Sequence, residues 1–429
     1  MFASRRLAEL PAPDAGPARH VSALRQAGAR VLDLTGAETE PLAPDWASRS
    51  LAHAATLPEA HRAAPPDGVP AFRRAVASWY ADRHGVRLDP DTQVLPLAGA
   101  RQGLFLAAFV ACDPGDVALV PDPCAGAGRA GAYFAGAEVV SLPLRPERDF
   151  LPDLASVPEP VARRARILYL HYPNNPTGAV APPAFLAAAA AFARRRGLLL
   201  CNDFAYGETC YDGYRPRSVL SLEDGAETAL EFMTLSEACG LPGWRLGAAV
   251  GAPRAVAALS RLVAQVTGGV AAVAQLAGGA VLPHPARWGF LTARNESYRV
   301  RRDVLTAALA EAGLPARRPR ATPFLWVQCP DGASSAECTM AVLERLGLAL
   351  TPGSAFGPAG EGYMRISLQP PTSIIEEAAA RIAACGPGGL AGLRPAPEPR
   401  VPRRGLPPAH PVPLEVGAAP DPADLLSCL

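Results

Sequence analysis

His171-Tyr-Pro-Asn-Asn-Pro-Thr-Gly178 decides the fold, because of what precedes it and what recurs after it. Residues 167–170 are apolar and rich in β-formers, so a strand is predicted over 167–171, and the Pro- and Gly-punctuated loop follows at its carboxyl end. Downstream, a predicted strand at 198–202 runs into Asn202-Asp203-Phe204-Ala205-Tyr206. Another, at 232–235, opens Thr234-Leu-Ser-Glu-Ala-Cys-Gly-Leu-Pro-Gly-Trp-Arg-Leu-Gly247. Further strands are predicted at 117–120, 138–142 and 247–251, and Ala/Leu-rich helices at 183–195, closed by Gly197, and at 254–265. Strands alternating with helices make a mostly parallel sheet covered on both faces. Such sheets bind ligands beyond the carboxyl ends of their strands, which is where all three loops fall.

From 287 the pattern changes. A helix through 311 leads to an antiparallel-looking region with strands at 324–328 and 363–368 and helices at 336–346 and 373–384. The expected fold class is therefore α/β: a three-layer, mostly parallel large domain with a smaller α+β domain. With 429 residues and 49% apolar content, one core is too few. The expected division is 1–45 as an arm and part of the smaller domain, 46–286 as the large domain, 287–385 as the small domain, and 386–429 as a tail. That tail reads GPGG, PAPEPRVPRRG and PPAHPVP and lacks the apolar periodicity that buries a face, so disorder is expected there.

A formal charge of +1 with interspersed signs gives no electrostatic case for nucleic acid or an anionic membrane, leaving small molecules or proteins as partners. No apolar run of membrane-spanning length occurs, and no apolar segment follows Arg5 and Arg6, so the default expectation is a cytoplasmic protein. The nine cysteines are scattered without a CxxC pair or metal-ligand spacing; buried thiols and no metal are expected. All 41 basic residues are arginine, and the chain contains no lysine.

In order and spacing, the three loops resemble the class I/II aminotransferases, the fold-type I enzymes that depend on pyridoxal 5'-phosphate. The closest flavour is the succinyl-diaminopimelate-type branch. Gln93-Val-Leu-Pro-Leu-Ala-Gly-Ala-Arg-Gln-Gly-Leu104, Pro352-Gly-Ser-Ala-Phe-Gly357 and Tyr363-Met-Arg-Ile-Ser367 extend the resemblance to about Ala384. It implies that Asp203 pairs with the cofactor's ring nitrogen and that Tyr206 and Asn175 hold its phenolic oxygen. Ser236 and Arg245 would hold the phosphate, helped by backbone amides of Gly99, Ala100, Arg101 and Gln102 at a helix start, where unbonded N–H groups and the helix dipole favour an anion. Arg365 would grip a substrate carboxylate in a bidentate fork, Ala37 would border the substrate, and a homodimer would form.

The pattern breaks at Glu237, where the resemblance places the lysine that links covalently to the cofactor. A carboxylate cannot form an imine, and neither can a guanidinium that stays protonated. The only primary amine left in the chain is the α-amino group of Met1. Other departures accompany this one. Cys124-Ala-Gly-Ala-Gly128 occupies the place of a ring-stacking aromatic, Ala63 or Ala64 that of a tyrosine reaching the neighbouring subunit's phosphate, Ala100 that of a loop serine, and Ala37-Glu38-Thr39 that of a Gly-Glu-Pro motif. Lost stacking and hydrogen bonds weaken cofactor binding by several kcal/mol, at about 1 kcal/mol per neutral bond. Three readings stand open. One is a remodelled pocket, with the cofactor non-covalent or absent, that takes an amino acid, carboxylate or phosphorylated ligand and uses Glu237 as a general base. Another is a non-catalytic subunit in a dimer with an active aminotransferase. The last is a transaminase by ancestry with an altered residue 237.

Overall fold

A computed structural model describes residues 4, 6–7, 16–36, 43–330 and 332–392; Met1, Ala37, Glu38, Thr39 and the 393–429 stretch lie outside the described residues. In chain order the strands are β1 Leu32–Asp33, β2 Val94–Leu97, β3 Val117–Asp122, β4 Glu138–Pro143, β5 Ala165–His171, β6 Leu199–Asp203, β7 Ala229–Thr234, β8 Gly247–Gly251, β9 Phe324–Gln328, β10 Leu348–Ala349, β11 Thr351–Pro352 and β12 Tyr363–Ser367.

Seven of these form one sheet in the order β2-β8-β7-β6-β5-β3-β4. The run from β7 to β4 is parallel throughout, and β8 lies antiparallel to both of its neighbours. Alternate residues face opposite sides. Val117, Leu119, Leu168 and Leu170 enter one apolar core with Phe72, Val76 and Tyr80, while Ala118, Val120, Ile167 and Tyr169 enter the other with Leu104 and Phe232. Residues buried on both faces explain why these strands read as continuous apolar runs. Each fully buried Leu, Ile or Phe contributes roughly 1.5–3 kcal/mol.

One acid breaks the pattern inside the sheet. Glu231 of β7 is fully buried and accepts hydrogen bonds from Ser218 Oγ (2.7 Å), Asn202 Nδ2 (2.9 Å), Val219 N (3.1 Å) and Tyr80 Oη (3.2 Å). Burial nevertheless outweighs these bonds and raises its carboxyl to about 7.

A separate apolar core gathers Leu305 and Leu309 of the helix Ala286–Glu311, Leu325 and Val327 of β9, Val342, Ile366 and Ile375. Its sheet, β11-β12-β9, is antiparallel. The N-terminal segment joins it: β1 pairs parallel with β10, and Leu32 and Leu34 enter the same core. Among the described residues no helix is long and apolar enough to cross a membrane.

Candidate functional site

Three parallel strands end side by side. In the sheet register His171 of β5 faces Asp203 of β6, and Asp203 faces Phe232 of β7, so the loops after them rise from one edge. Between these strand ends, the first turn of the helix Ala100–Ala111 and the smaller core lies a cavity of ≈ 330 Å³. It brings together Ala100, Arg101, Asn175, Asp203, Tyr206, Ser236, Glu237 and Arg245.

One end of the cavity is suited to an anion. Gly99 caps the 100–111 helix with φ +83° and ψ 162°, a conformation open to glycine and costly for other residues. A Cβ there would come within 2.9 Å of Arg245 Nη2. Arg245 itself folds back over the loop, its Nη2 donating to Ala98 O (3.4 Å) and its Nη1 to Pro242 O (3.3 Å). Ser236 sits on the single turn Leu235–Ala238 after β7, held because Thr234 Oγ1 accepts from Ser236 N (3.2 Å) and donates to Ser236 Oγ (3.1 Å). Of the four amides expected to help, Gln102 N is committed to Gly99 O (3.2 Å), because the helix closes its first turn on it. The amides of Ala100 and Arg101 open that turn and have no intrahelical acceptor.

The opposite side is polar: Asn175 and Tyr206 are buried and line the cavity, and half-buried Arg365 is bonded to Asn175 without itself lining it. Asn175 Nδ2 donates to Tyr206 Oη (3.3 Å), and Arg365 Nη1 donates to Asn175 Oδ1 (2.9 Å). Arg365 reaches in from β12, with Nη2 donating to Thr35 O (2.8 Å) and its guanidinium between the rings of Phe324 and Phe356 (4.2 and 4.7 Å). Burial lowers its pKa to about 10, so it stays charged at neutral pH. Its Nε is buried with no partner among the described residues. The Tyr206 hydroxyl is raised well above its ordinary value, by burial first and by the nearby Glu237 charge second.

Sequence reasoning missed several side chains here. His171 is buried, stacks on Tyr206 (6.0 Å, 11° between planes) and points Nε2 toward Asp203 Oδ2 at 3.5 Å, too long for a firm hydrogen bond. Among the described residues that nitrogen has no hydrogen-bond partner, and burial lowers the imidazole pKa, which favours the neutral ring. The signal for it was present: His171 ends the strand that launches the quoted loop. Arg294, on the helix Ala286–Glu311, is buried and donates to the carbonyls of Glu237 and Glu208 and to Thr209 Oγ1. Tyr298 and Gln369 also line the cavity, as does Gly36, the neighbour of the expected Ala37. The place expected to lack a stacking aromatic presents only Ala125 and Ala127 to the cavity.

Glu237 is half-buried on the same turn as Ser236. Burial raises its carboxyl pKa, Asp203 pushes the same way, and Arg294 opposes both. The donor set therefore fits a phosphate (Ser236, Arg245 and two helix amides), a protonated ring nitrogen (Asp203) and a phenolic oxygen (Asn175 and Tyr206). Among the described residues it offers no amine for a covalent link, since the chain has no lysine and Met1 lies outside them.

Residues 33–382 match the family model described as aminotransferase class I and II. Similar curated proteins include the LL-diaminopimelate aminotransferases of Desulforudis audaxviator, 40% identical over 83% of this chain and 91% of that protein, and of Dehalococcoides mccartyi strain 195, 38% identical over 85% and 94%. Among solved structures, substrate-bound BacF from Bacillus subtilis superposes with a TM-score of 0.84 at 30% identity, covering 90% of this chain and 98% of that one. A probable N-succinyldiaminopimelate aminotransferase from Thermus thermophilus gives 0.80 at 34% identity, covering 86% and 98%.

Proposed function

The chain belongs to the class I and II aminotransferase family, and on that premise we propose that its pocket holds a pyridoxal-phosphate-type cofactor without a covalent link and brings an amino-acid carboxylate against it. The observation that carries this reading is the pairing of polar partners for the cofactor's phosphate, ring nitrogen and phenolic oxygen with the total absence of lysine, Glu237 standing where the family's lysine is expected. When bound, such a cofactor supplies an electron sink for charge developing on a substrate carbon. Everything else falls to the chain's own residues.

Ser236, Arg245 and the Ala100 and Arg101 amides hold the phosphate by charge-assisted hydrogen bonds. Asp203 keeps the ring nitrogen protonated, while neutral His171 and stacked Tyr206 limit water around that pair. Asn175 is shared: it donates to Tyr206 and accepts from Arg365, so it links the cofactor side to the carboxylate side. Arg365, with donors to spare, binds the ligand's carboxylate. Glu237, its carboxyl raised by burial and lining the cavity, is suited to taking or returning a proton on the ligand. The names of the curated relatives put amino dicarboxylates first among ligands to screen.

The test is equilibrium dialysis of the purified full chain with pyridoxal phosphate and pyridoxamine phosphate, followed by borohydride reduction and intact-mass measurement. Saturable binding with no added mass supports the reading. A reduced adduct overturns it, as does failure of both forms to bind; co-purification of a second aminotransferase alongside that failure points to the subunit role instead.

A further inference from the structure

The cavity is electrically divided. One end is cationic and amide-rich, built by Ser236, Arg245 and the first turn of the 100–111 helix, whereas the acidic part of its lining consists of Asp203 and Glu237. Among the described residues no hydrogen bond or ion pair reaches the Glu237 carboxylate. The one guanidinium near it, Arg294, is occupied with the Glu237 and Glu208 carbonyls, Thr209 and Asn295. Partial removal from water raises its pKa, and the Arg294 charge offsets only part of that cost. Arg294 supplies charge at a distance but no hydrogen bond to this carboxylate, so in a lysine-free chain a ligand ammonium is the group suited to complete it.

Resting on the reading above, we infer that this pocket selects the amine form of the cofactor, pyridoxamine 5'-phosphate, over the aldehyde form, with the Glu237 carboxylate as partner of the ammonium. The amine form matches the cavity group by group. Its phosphate goes to the cationic end, its ring N–H to Asp203, and its ammonium to Glu237. The aldehyde form offers Glu237 a carbonyl oxygen, so two acceptors meet unless the carboxyl first takes up a proton, a cost the ammonium avoids. A charge-assisted bond of this kind is worth about 10- to 100-fold in affinity. Selection by Glu237 requires no bond to form or break.

Three probes separate the outcomes: pyridoxamine phosphate, pyridoxal phosphate, and 4'-deoxypyridoxine phosphate, which carries a methyl group in place of either function. Their dissociation constants are measured by titration calorimetry on the dialysed full chain and on Glu237→Gln and Glu237→Asp, with melting temperatures confirming that the variants fold. The wild type is expected to bind the amine about 10- to 100-fold tighter than the methyl analogue and the aldehyde no tighter than the analogue. Glu237→Gln removes the carboxylate charge but leaves an amide oxygen that can accept from the ammonium, so the amine's advantage should fall clearly below that of the wild type while the analogue is spared; Glu237→Asp should keep more of it. An aldehyde bound as tightly as the amine, or an amine preference undiminished by Glu237→Gln, overturns the inference and leaves the non-covalent pocket standing. If none of the three probes binds, both proposals fall together.

Discussion

Arg365→Ala removes the guanidinium that reaches from β12 of the smaller core to Asn175 beside β5. Of the five N–H donors an arginine carries, one is given to Asn175 and one to Thr35, and Nε is buried without a partner among the described residues. The donors left are sufficient for a two-point grip on a carboxylate. Each charge-assisted bond is worth about 1.5–3 kcal/mol, so losing two costs ~3–6 kcal/mol in ligand binding, or ~10²- to 10⁴-fold. Arg365 is only half-buried, and solvent screening argues for the lower end, about 100-fold. The assay is calorimetric titration of cofactor-saturated protein with diaminopimelate and with the corresponding diamine that lacks both carboxylates. The expected result is a loss of about 100-fold for the acid and little change for the diamine. The packing against Phe324 and Phe356 is lost too, so a lower melting temperature is expected and is measured separately. If the acid binds Arg365→Ala within about threefold of wild type while the variant remains folded, the assignment of the carboxylate grip to Arg365 is wrong.

Glu237→Lys should give only a minor fraction of borohydride-reducible adduct by intact mass, because Ala125 and Ala127 still present no ring to stack on the cofactor; a stoichiometric adduct with full transaminase turnover would contradict a pocket remodelled beyond one residue. Gly99→Ala forces a side chain into a φ +83° conformation and against Arg245, and should cost about 1–3 kcal/mol of stability by denaturant titration while weakening inorganic phosphate binding. Unchanged stability would show that the loop relaxes freely. Glu231 has its folded-state pKa raised to about 7 from an unfolded value near 4.5, so the folded state prefers the protonated acid. Its contribution is fully present below about pH 4.5 and is lost as pH rises through about 7, a swing of roughly 3 kcal/mol at about 1.4 per unit. Glu231→Gln should therefore flatten the melting-temperature decline between about pH 5 and 7, and a decline that persists unaltered would place the titrating group elsewhere.

Much of the sheet was legible because its strands are buried on both faces, which turns them into uninterrupted apolar runs such as 117–120 and 167–170. The strand-end loops were legible for the same reason, since a loop after such a run has to emerge at the sheet's edge. Strand direction was not: β8 reads like its neighbours, and nothing in Gly-Ala-Ala-Val-Gly says that it runs antiparallel to them. Arg294 escaped because periodicity counts arginine as a polar residue. Yet Arg287, Leu291, Arg294, Tyr298, Arg301, Arg302 and Leu305 are all buried at helical spacing on one helix, and the charged heads find carbonyls and rings inside. Glu231 escaped because its four partners lie on separate segments, Tyr80, Asn202, Ser218 and Val219, brought together only by the fold.

The pairing of β1 with β10 fixes who owns each wall of the cavity. Leu34 N is tied to Ala349 O and Ser367 N to Leu34 O, so Thr35 and Gly36 travel with the smaller core, as do Arg365 and Gln369. Asp203, Ser236 and Arg245 belong to the large sheet and its loops. The two walls of the cavity thus belong to different apolar cores, and the groups that face a carboxylate are built on different strands from those that face a phosphate.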